Sequence, residues 1–424
     1  MTLASALLAR LRGPALLSLL DQGAVSGFGF VAGIAAARLI DMEGFGRFAL
    51  VLIVAGFAQG LHNALVTAPL MTLAGSVRDP GRYAAAVSAG ALVLAAGLAL
   101  AVAGALALYF QARGEAVPID LVTAAGALTL AQNLQLTARR LLFAYEGGGR
   151  ALVMDLARAA AFPLGVATLW AAGIPLDAAR LIEILALTAF LTTLPALLAR
   201  AADPGRRRLA LAARRHWQMA RWFLPVVLVT FGQEQLVWIL AGAALGDEAL
   251  GGLRAAQYLV GIVSLMLAAT ENVVPTGASR AYEAGGEPAL RAYLLGVTRR
   301  LGLPVAVLLG AVAAPADLWL RLVFGAPYAP YASCLRWLAL GVAFTFLRDM
   351  AAQIFRARRR TDVIFRAFAV SFVVSLVLIH PLIGRYGAAG AAAVVAIAHG
   401  ASLLALVVAL GRGALPRAET SERC

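Results

Sequence analysis

Lysine is missing from this chain: all 36 basic residues among its 424 are arginine. Cysteine occurs twice, histidine four times, and charged residues make up 14% of the sequence, against about 25% in soluble domains. Each shortage excludes something. Cys334 and Cys424 give no disulfide framework and no thiolate metal site. His62, His216, His380 and His399 are scattered without metal-ligand spacing, and no glycine-rich loop follows a strand. Metal-dependent hydrolysis and direct nucleotide use are therefore not expected. The loops on one side are short, and no polar stretch is long enough to form a catalytic lobe, so an enzyme acting on a bulky acceptor is disfavoured.

Apolar residues are what the chain has in excess, at 62% of the sequence with a mean hydropathy of +0.84. Runs such as 48–74, 83–112 and 386–411 contain no charge and exceed the roughly 20 residues a helix needs to cross about 30 Å of hydrocarbon. They lack the period-2 alternation of barrel strands. The expectation is an all-α integral membrane protein with about twelve transmembrane helices, at 15–38, 48–74, 83–111, 118–138, 151–172, 179–199, 222–243, 251–275, 298–318, 331–352, 363–383 and 386–411.

A shift of 206 residues pairs Asp41 with Asp247, Gly46 with Gly252, Leu61 with Leu267 and Pro69 with Pro275. The polar turn and the proline in register divide the chain into two parallel halves. Residues 1–199 form an N-terminal six-helix lobe, 200–221 a basic cytoplasmic linker, 222–411 a C-terminal six-helix lobe and 412–424 a cytoplasmic tail.

The formal charge of +14 would suit nucleic acid until the arginines are placed against the membrane. The segments before the first span, after each even span and at the C-terminus hold 27 of them, the alternate loops hold 8, and Arg158 lies inside a span. That asymmetry puts both termini in the cytoplasm and removes the need for a nucleic-acid partner. Arg10 and Arg12 precede an apolar run too long for a signal-peptide core, so the first span is expected to stay in the protein. The two cysteines then fall on opposite sides. Within the linker, 206–222 reads as a basic amphipathic helix with Trp217 and Trp222 toward lipid. Trp319, Tyr328, Tyr331 and Trp337 suit an aromatic belt.

An ionisable group at mid-membrane costs roughly 2.5 kcal/mol or more, which makes it a functional candidate. Asp21 and Gln22 lie in span 1, and Gln233, Glu234 and Gln235 in span 7; either carboxylate could take a proton or a sodium ion. Gln59, His62 and Asn63 have the spacing of one helix face in span 2 and could meet a sugar or pyrophosphate, and Glu271 and Asn272 are a polar counterpart in span 8. Arg158 has Asp155 three residues earlier as its expected partner; its alternative role is to bind a pyrophosphate with its guanidinium fork. Arg254 and Gln257, Arg139, Arg140 and Arg348 are further phosphate candidates. No catalytic residue, resident metal or cofactor is expected.

The stretch 17–74, with Leu20-Asp21-Gln22, Ala36-Ala37-Arg38-Leu39, Glu43-Gly44-Phe45-Gly46 and Asn63-Ala64-Leu65-Val66-Thr67-Ala68-Pro69, resembles the polysaccharide-export and O-antigen flippases of the multidrug/oligosaccharidyl-lipid/polysaccharide (MOP) superfamily. Leu322-Val323-Phe324-Gly325-Ala326-Pro327-Tyr328-Ala329 carries the same resemblance, which is diffuse and extends over nearly the whole chain. It implies a MATE-like transporter of two six-helix lobes around a central cavity. Such a protein would flip an undecaprenyl-pyrophosphate-linked oligosaccharide from the cytoplasmic to the periplasmic leaflet of a bacterial inner membrane, by alternating access and with possible ion coupling. Its partners would be membrane lipid, the lipid-linked substrate and a polysaccharide polymerase or export machinery. A proton- or sodium-coupled multidrug exporter of the same fold is the alternative, and a membrane enzyme of glycan assembly is the alternative of another class.

Overall fold

The structure is a computed structural model that describes residues 14–199 and 203–412, without the side chains of 14–22, 233, 264–266, 268–273 and 412. The described residues are helical almost throughout, in the order α1 (Pro14–Leu39), α2 (42–73), α3 (Pro80–Ala112), α4 (Ile119–Tyr145), α5 (Gly148–Ala171) and α6 (Ala178–Leu198). There follow α7 (Arg206–Leu245), α8 (247–284), α9 (287–313), the short α10 (Ala316–Val323), α11 (Ala332–Ala357), α12 (361–386) and α13 (388–412).

Seven helical runs among the described residues are long and apolar enough to cross a bilayer, and the bent run Arg206–Leu245 makes eight. Two of these runs are hairpins of helices. Thr361–Gly411 has 51 residues, more than twice the length that spans about 30 Å at 1.5 Å per residue. It breaks at Gly387 (φ 56°), and beyond the break a side chain at Gly390 would come within 2.0 Å of the Leu382 carbonyl. Residues 247–313 break likewise at Gly285 and Gly286, which brings Gly277 against Tyr293. Glycine is needed at 286 and 387 because both have positive φ.

Helix starts follow from aspartate. Asp41, Asp79 and Asp177 each accept the backbone N–H three residues on, at 2.9, 3.1 and 2.8 Å, at the first turns of α2, α3 and α6. Helix ends follow from glycine. Gly114 and Gly173 take positive φ after α3 and α5, and the next N–H returns to the carbonyl five residues back. Arg359 closes α11 with the same pair of bonds at φ 57°, where a side chain strains the backbone. Arg359→Gly should therefore stabilise the protein by about 0.5–1 kcal/mol, the relief being partly offset by glycine's entropy. A lower midpoint of thermal unfolding for the variant would contradict this.

The chain separates into two compact units, one ending at Phe231 and the other beginning at Gly232. The division falls beyond the basic linker because the linker is itself helical, runs into α7 and packs on α2 and α3 of the first unit. Trp217 and Trp222 stay 55% and 72% exposed, as an amphipathic helix at a lipid interface requires. The opposite face carries His216, buried against α2. Pro69 has no N–H to give the carbonyl of Leu65 four residues earlier, and the helix passes through a π turn at Asn63–Thr67 just before it. The Leu65 oxygen lies 3.2 Å from His216 Nδ1. A carbonyl only accepts, so Nδ1 carries the proton, and Nε2 of the neutral ring accepts from the Tyr83 hydroxyl at 2.8 Å.

Burial lowers the proton affinity of His216 against the smaller opposing effect of the Leu65 carbonyl. The unfolded chain thus binds the extra proton more readily. The contribution of His216 is complete above its ordinary range near pH 6.5 and declines as pH falls from there to the lowered folded value. His216→Ala should cost about 1 kcal/mol at pH 8 by leaving the half-buried Leu65 carbonyl and the Tyr83 hydroxyl without this partner. The gap in unfolding midpoint between wild type and variant should shrink toward pH 5, and a gap that does not change with pH would rule out this account.

In the second unit the expected aromatic belt is incomplete. Tyr328 is 3% exposed and packs on Phe324 with ring centroids 5.7 Å apart, because the turn after Gly325 folds it inward. Trp319 remains at the surface and donates from Nε1 to the Ala311 carbonyl at 2.8 Å.

Candidate functional site

Four helices of the first unit line a partly polar cavity of about 120 Å³. α1 contributes Val25 and Phe28, α2 contributes Gln59, α4 contributes Gln132, Gln135 and Arg139, and α5 contributes Asp155 and Arg158. Gln132, Gln135 and Arg139 recur at the three- and four-residue spacing that stacks side chains on one helix face.

The polar groups form a chain. Arg139 pairs with Asp155 at 2.9 Å, and the two side chains are 15% and 5% exposed. The Nε–H of Arg139 is not aligned for a hydrogen bond at that distance, so the contact is ionic. Gln135 donates from Nε2 to Asp155 Oδ1 at 3.0 Å and accepts from Arg158 at its own Oε1. The second arm of the Arg158 guanidinium reaches the Leu185 carbonyl, and its plane lies over the Phe28 ring at 5.2 Å. Its Nε is buried and meets no acceptor among the described residues. Asp155 was expected to pair with Arg158. The structure places it on Arg139 instead, and Gln135 stands between Asp155 and Arg158. Two arginines face one carboxylate in the described lining, which leaves an excess positive charge in a low-dielectric site.

Of the other sequence candidates, Gln59 reaches this cavity. His62 is fully buried and turned onto Thr137 of α4, with Nε2 2.8 Å from the hydroxyl oxygen. Thr137 donates to the Asn133 carbonyl, so its oxygen accepts from His62, which makes the ring a strut between α2 and α4. Asn63 opens the π turn, is exposed, and accepts from Thr67 at 2.6 Å. The three residues of span 2 therefore do not present one common surface. Asp21 and Gln22 lie on α1, Gln233 on α7, and Glu271 and Asn272 on α8, but their side chains fall outside the described ones.

The second unit has its own polar cluster. Arg348 on α11 pairs with Asp349 at 2.9 Å, donates to His399 Nδ1 of α13 at 3.3 Å and lies over the Phe368 ring at 4.9 Å. Glu234 on α7 is exposed. Near the start of α8, Arg254 donates to Gln257 Oε1 at 2.6 Å beside the Tyr258 ring. Sequence reasoning missed Gln135, Gln132 and His399. The run Gln132-Asn133-Leu134-Gln135 inside an apolar span was the available signal.

No protein-family model and no curated protein matches the sequence. Solved structures match it over most of its length. An inward-facing multidrug resistance MATE family transporter of the MOP superfamily superposes with a TM-score of 0.67 at 14% identity, covering 91% of this chain and 93% of that one. The lipid II flippase MurJ in an inward closed conformation gives 0.68 at 13% identity, covering 94% and 87%. A MOP superfamily transporter from Pyrococcus furiosus, with a binding pocket of reverse polarity, gives 0.56 at 13% identity, covering 94% of each. This chain has the all-α fold of those MATE and MurJ structures.

Proposed function

We propose that the protein is a transporter that flips a lipid-linked oligosaccharide with an anionic pyrophosphate head from the cytoplasmic to the periplasmic leaflet of a bacterial inner membrane, for polysaccharide assembly. The observation that carries this reading is the cavity between α1, α2, α4 and α5, where two arginines face one carboxylate and Arg158 keeps an unmet Nε donor. A guanidinium recognises phosphate oxygens with a planar fork, and its strength rises where water is excluded. Gln59 and Gln132 on the same wall offer amides to sugar hydroxyls. The fold is compatible with this, since MurJ is a lipid II flippase.

Multidrug export is the second reading, because the MATE structures have the same fold. The exposed carboxylate of Glu234 on a membrane-spanning helix favours ion coupling under either reading. A cationic drug would be repelled by the positive cavity in the first unit. The two readings separate in a strain lacking the gene. Flipping predicts a lipid-linked oligosaccharide pool that glycosidase added to spheroplasts does not reach, cleared when the gene is restored. Absence of that pool together with raised drug sensitivity would instead establish the exporter.

Coupling through Glu234 or Asp21 is tested on the same substrate. Glu234→Gln or Asp21→Asn should flatten the dependence of transport on pH or sodium. Variants that keep the full dependence would remove that carboxylate from the coupling mechanism.

A further inference from the structure

Phe28 has a different pocket on each side. One face meets the arginine cavity, where the Arg158 guanidinium lies over the ring. The ring also borders a crevice of about 350 Å³ between α1 and α5, lined by Val31, Ala35, Phe162, Val166, Ala167 and Trp170 among others. Phe28 and Phe162 meet edge to face at 5.7 Å on the crevice side. Every side chain of the crevice just named is apolar in body, and Val31 and Trp170 remain 63% and 77% exposed.

We infer that this crevice seats the aliphatic tail of the transported lipid next to its phosphate head, so that Phe28 marks the junction between anion and hydrocarbon. The inference rests on the proposed transport of a lipid-linked anion and adds where the lipid half of that substrate lies. Three observations favour a substrate tail over a bulk lipid or a protein helix. The crevice adjoins the positive cavity across one shared residue, Phe28. The charge in that cavity complements an anionic head such as a phosphate and not the hydrocarbon part of an amphiphile. The crevice is also at the lower end of small-ligand pocket sizes, roughly 300–1,000 Å³, which suits a single chain.

The geometry separates the two contacts along the helices. Arg158 and Ala159 are sequence neighbours on α5, yet the first lines the polar cavity and the second the apolar crevice. An amphiphile lying along α5 would cross from one to the other at Phe28. A soluble pyrophosphate would use only the first.

Binding to the purified full chain in nanodiscs of zwitterionic phospholipid, with two probes, tests this. Inorganic pyrophosphate reports the head alone, and a long-chain polyprenyl pyrophosphate reports head and tail. Ala35→Phe and Ala167→Phe fill the crevice from α1 and α5 respectively, with the unfolding midpoint checked for each. The expected result is that either variant weakens polyprenyl pyrophosphate at least tenfold and leaves inorganic pyrophosphate unchanged, while Arg158→Ala weakens both. If folded crevice variants bind the polyprenyl probe as wild type does and Arg158→Ala still weakens both, the tail site is overturned and the anionic-head reading stands. If wild-type protein binds neither probe, the proposed substrate class fails and the tail site fails with it.

Discussion

Replacing Arg158 with alanine lowers the flipping of a pyrophosphate-linked lipid by about 10- to 150-fold, the equivalent of the roughly 1.5–3 kcal/mol carried by hydrogen bonds to a charged group. The guanidinium is fixed before substrate arrives by Gln135, the Leu185 carbonyl and the Phe28 ring, so little side-chain entropy is lost when an anion meets its free N–H donors, the buried Nε–H among them. Arg158→Lys should recover only a fraction of the rate, because an ammonium supplies charge without the planar fork. The variant also strands Gln135 Oε1, so the rate is to be read beside the unfolding midpoint. Wild-type transport by a folded Arg158→Ala protein would exclude the residue from the substrate path.

The largest loss of stability is expected at Asp155. It is the one carboxylate in the described lining of the cavity and the charge partner of Arg139. Taking away one member of a buried ion pair leaves the other uncompensated and typically costs about 3–5 kcal/mol. Asp155→Ala should therefore lower the unfolding midpoint by several degrees, and Arg139→Met should do so less severely because Gln135 still donates to the carboxylate. The double variant should be more stable than the Asp155→Ala single, since no charge at either position is then left unpaired. Additive losses in that cycle would show that the two side chains do not form a unit.

These two residues also show how far the sequence could be read. The apolar spans were legible because the hydrocarbon core imposes length and polarity on every crossing helix, and Arg158 was legible as a charge where charge is expensive. Its partner was not. Asp155 is three residues away on the same helix, which made it the nearest candidate in sequence, but it pairs with Arg139 on α4, across the cavity. Gln135 joins the two sides, and an uncharged amide in an apolar run gives a much weaker signal than a charge. His216 was harder still, since its acceptor is a backbone carbonyl released by Pro69, 151 residues distant from the ring. The same proline had been read only as a mark of the internal repeat. The glycines at 286 and 387 set the two late hairpins by their backbone angles, which composition does not report.

The two units differ in how their polar groups are used. In the first, amides and a carboxylate hold two arginines around a small cavity. In the second, Arg348 is taken up by Asp349 and His399, while the buried Nε of Arg254, like that of Arg158, meets no acceptor among the described residues. The proposed function assigns head-group recognition to Arg158 in the first unit and ion coupling to Glu234 in the second. The Glu234→Gln and Arg158→Ala variants separate those roles, because the first should alter ion dependence and the second substrate affinity.

The most direct measurement is made on purified protein in liposomes carrying a polyprenyl-pyrophosphate-linked oligosaccharide, with a glycosidase outside. The account predicts that cleavage passes beyond the outer-leaflet pool and approaches completion with wild-type protein, stops at that pool in protein-free vesicles, and passes it about 10- to 150-fold more slowly with Arg158→Ala. Equal cleavage with and without protein, or equally fast movement of a lipid with the same tail and a neutral head, would contradict it.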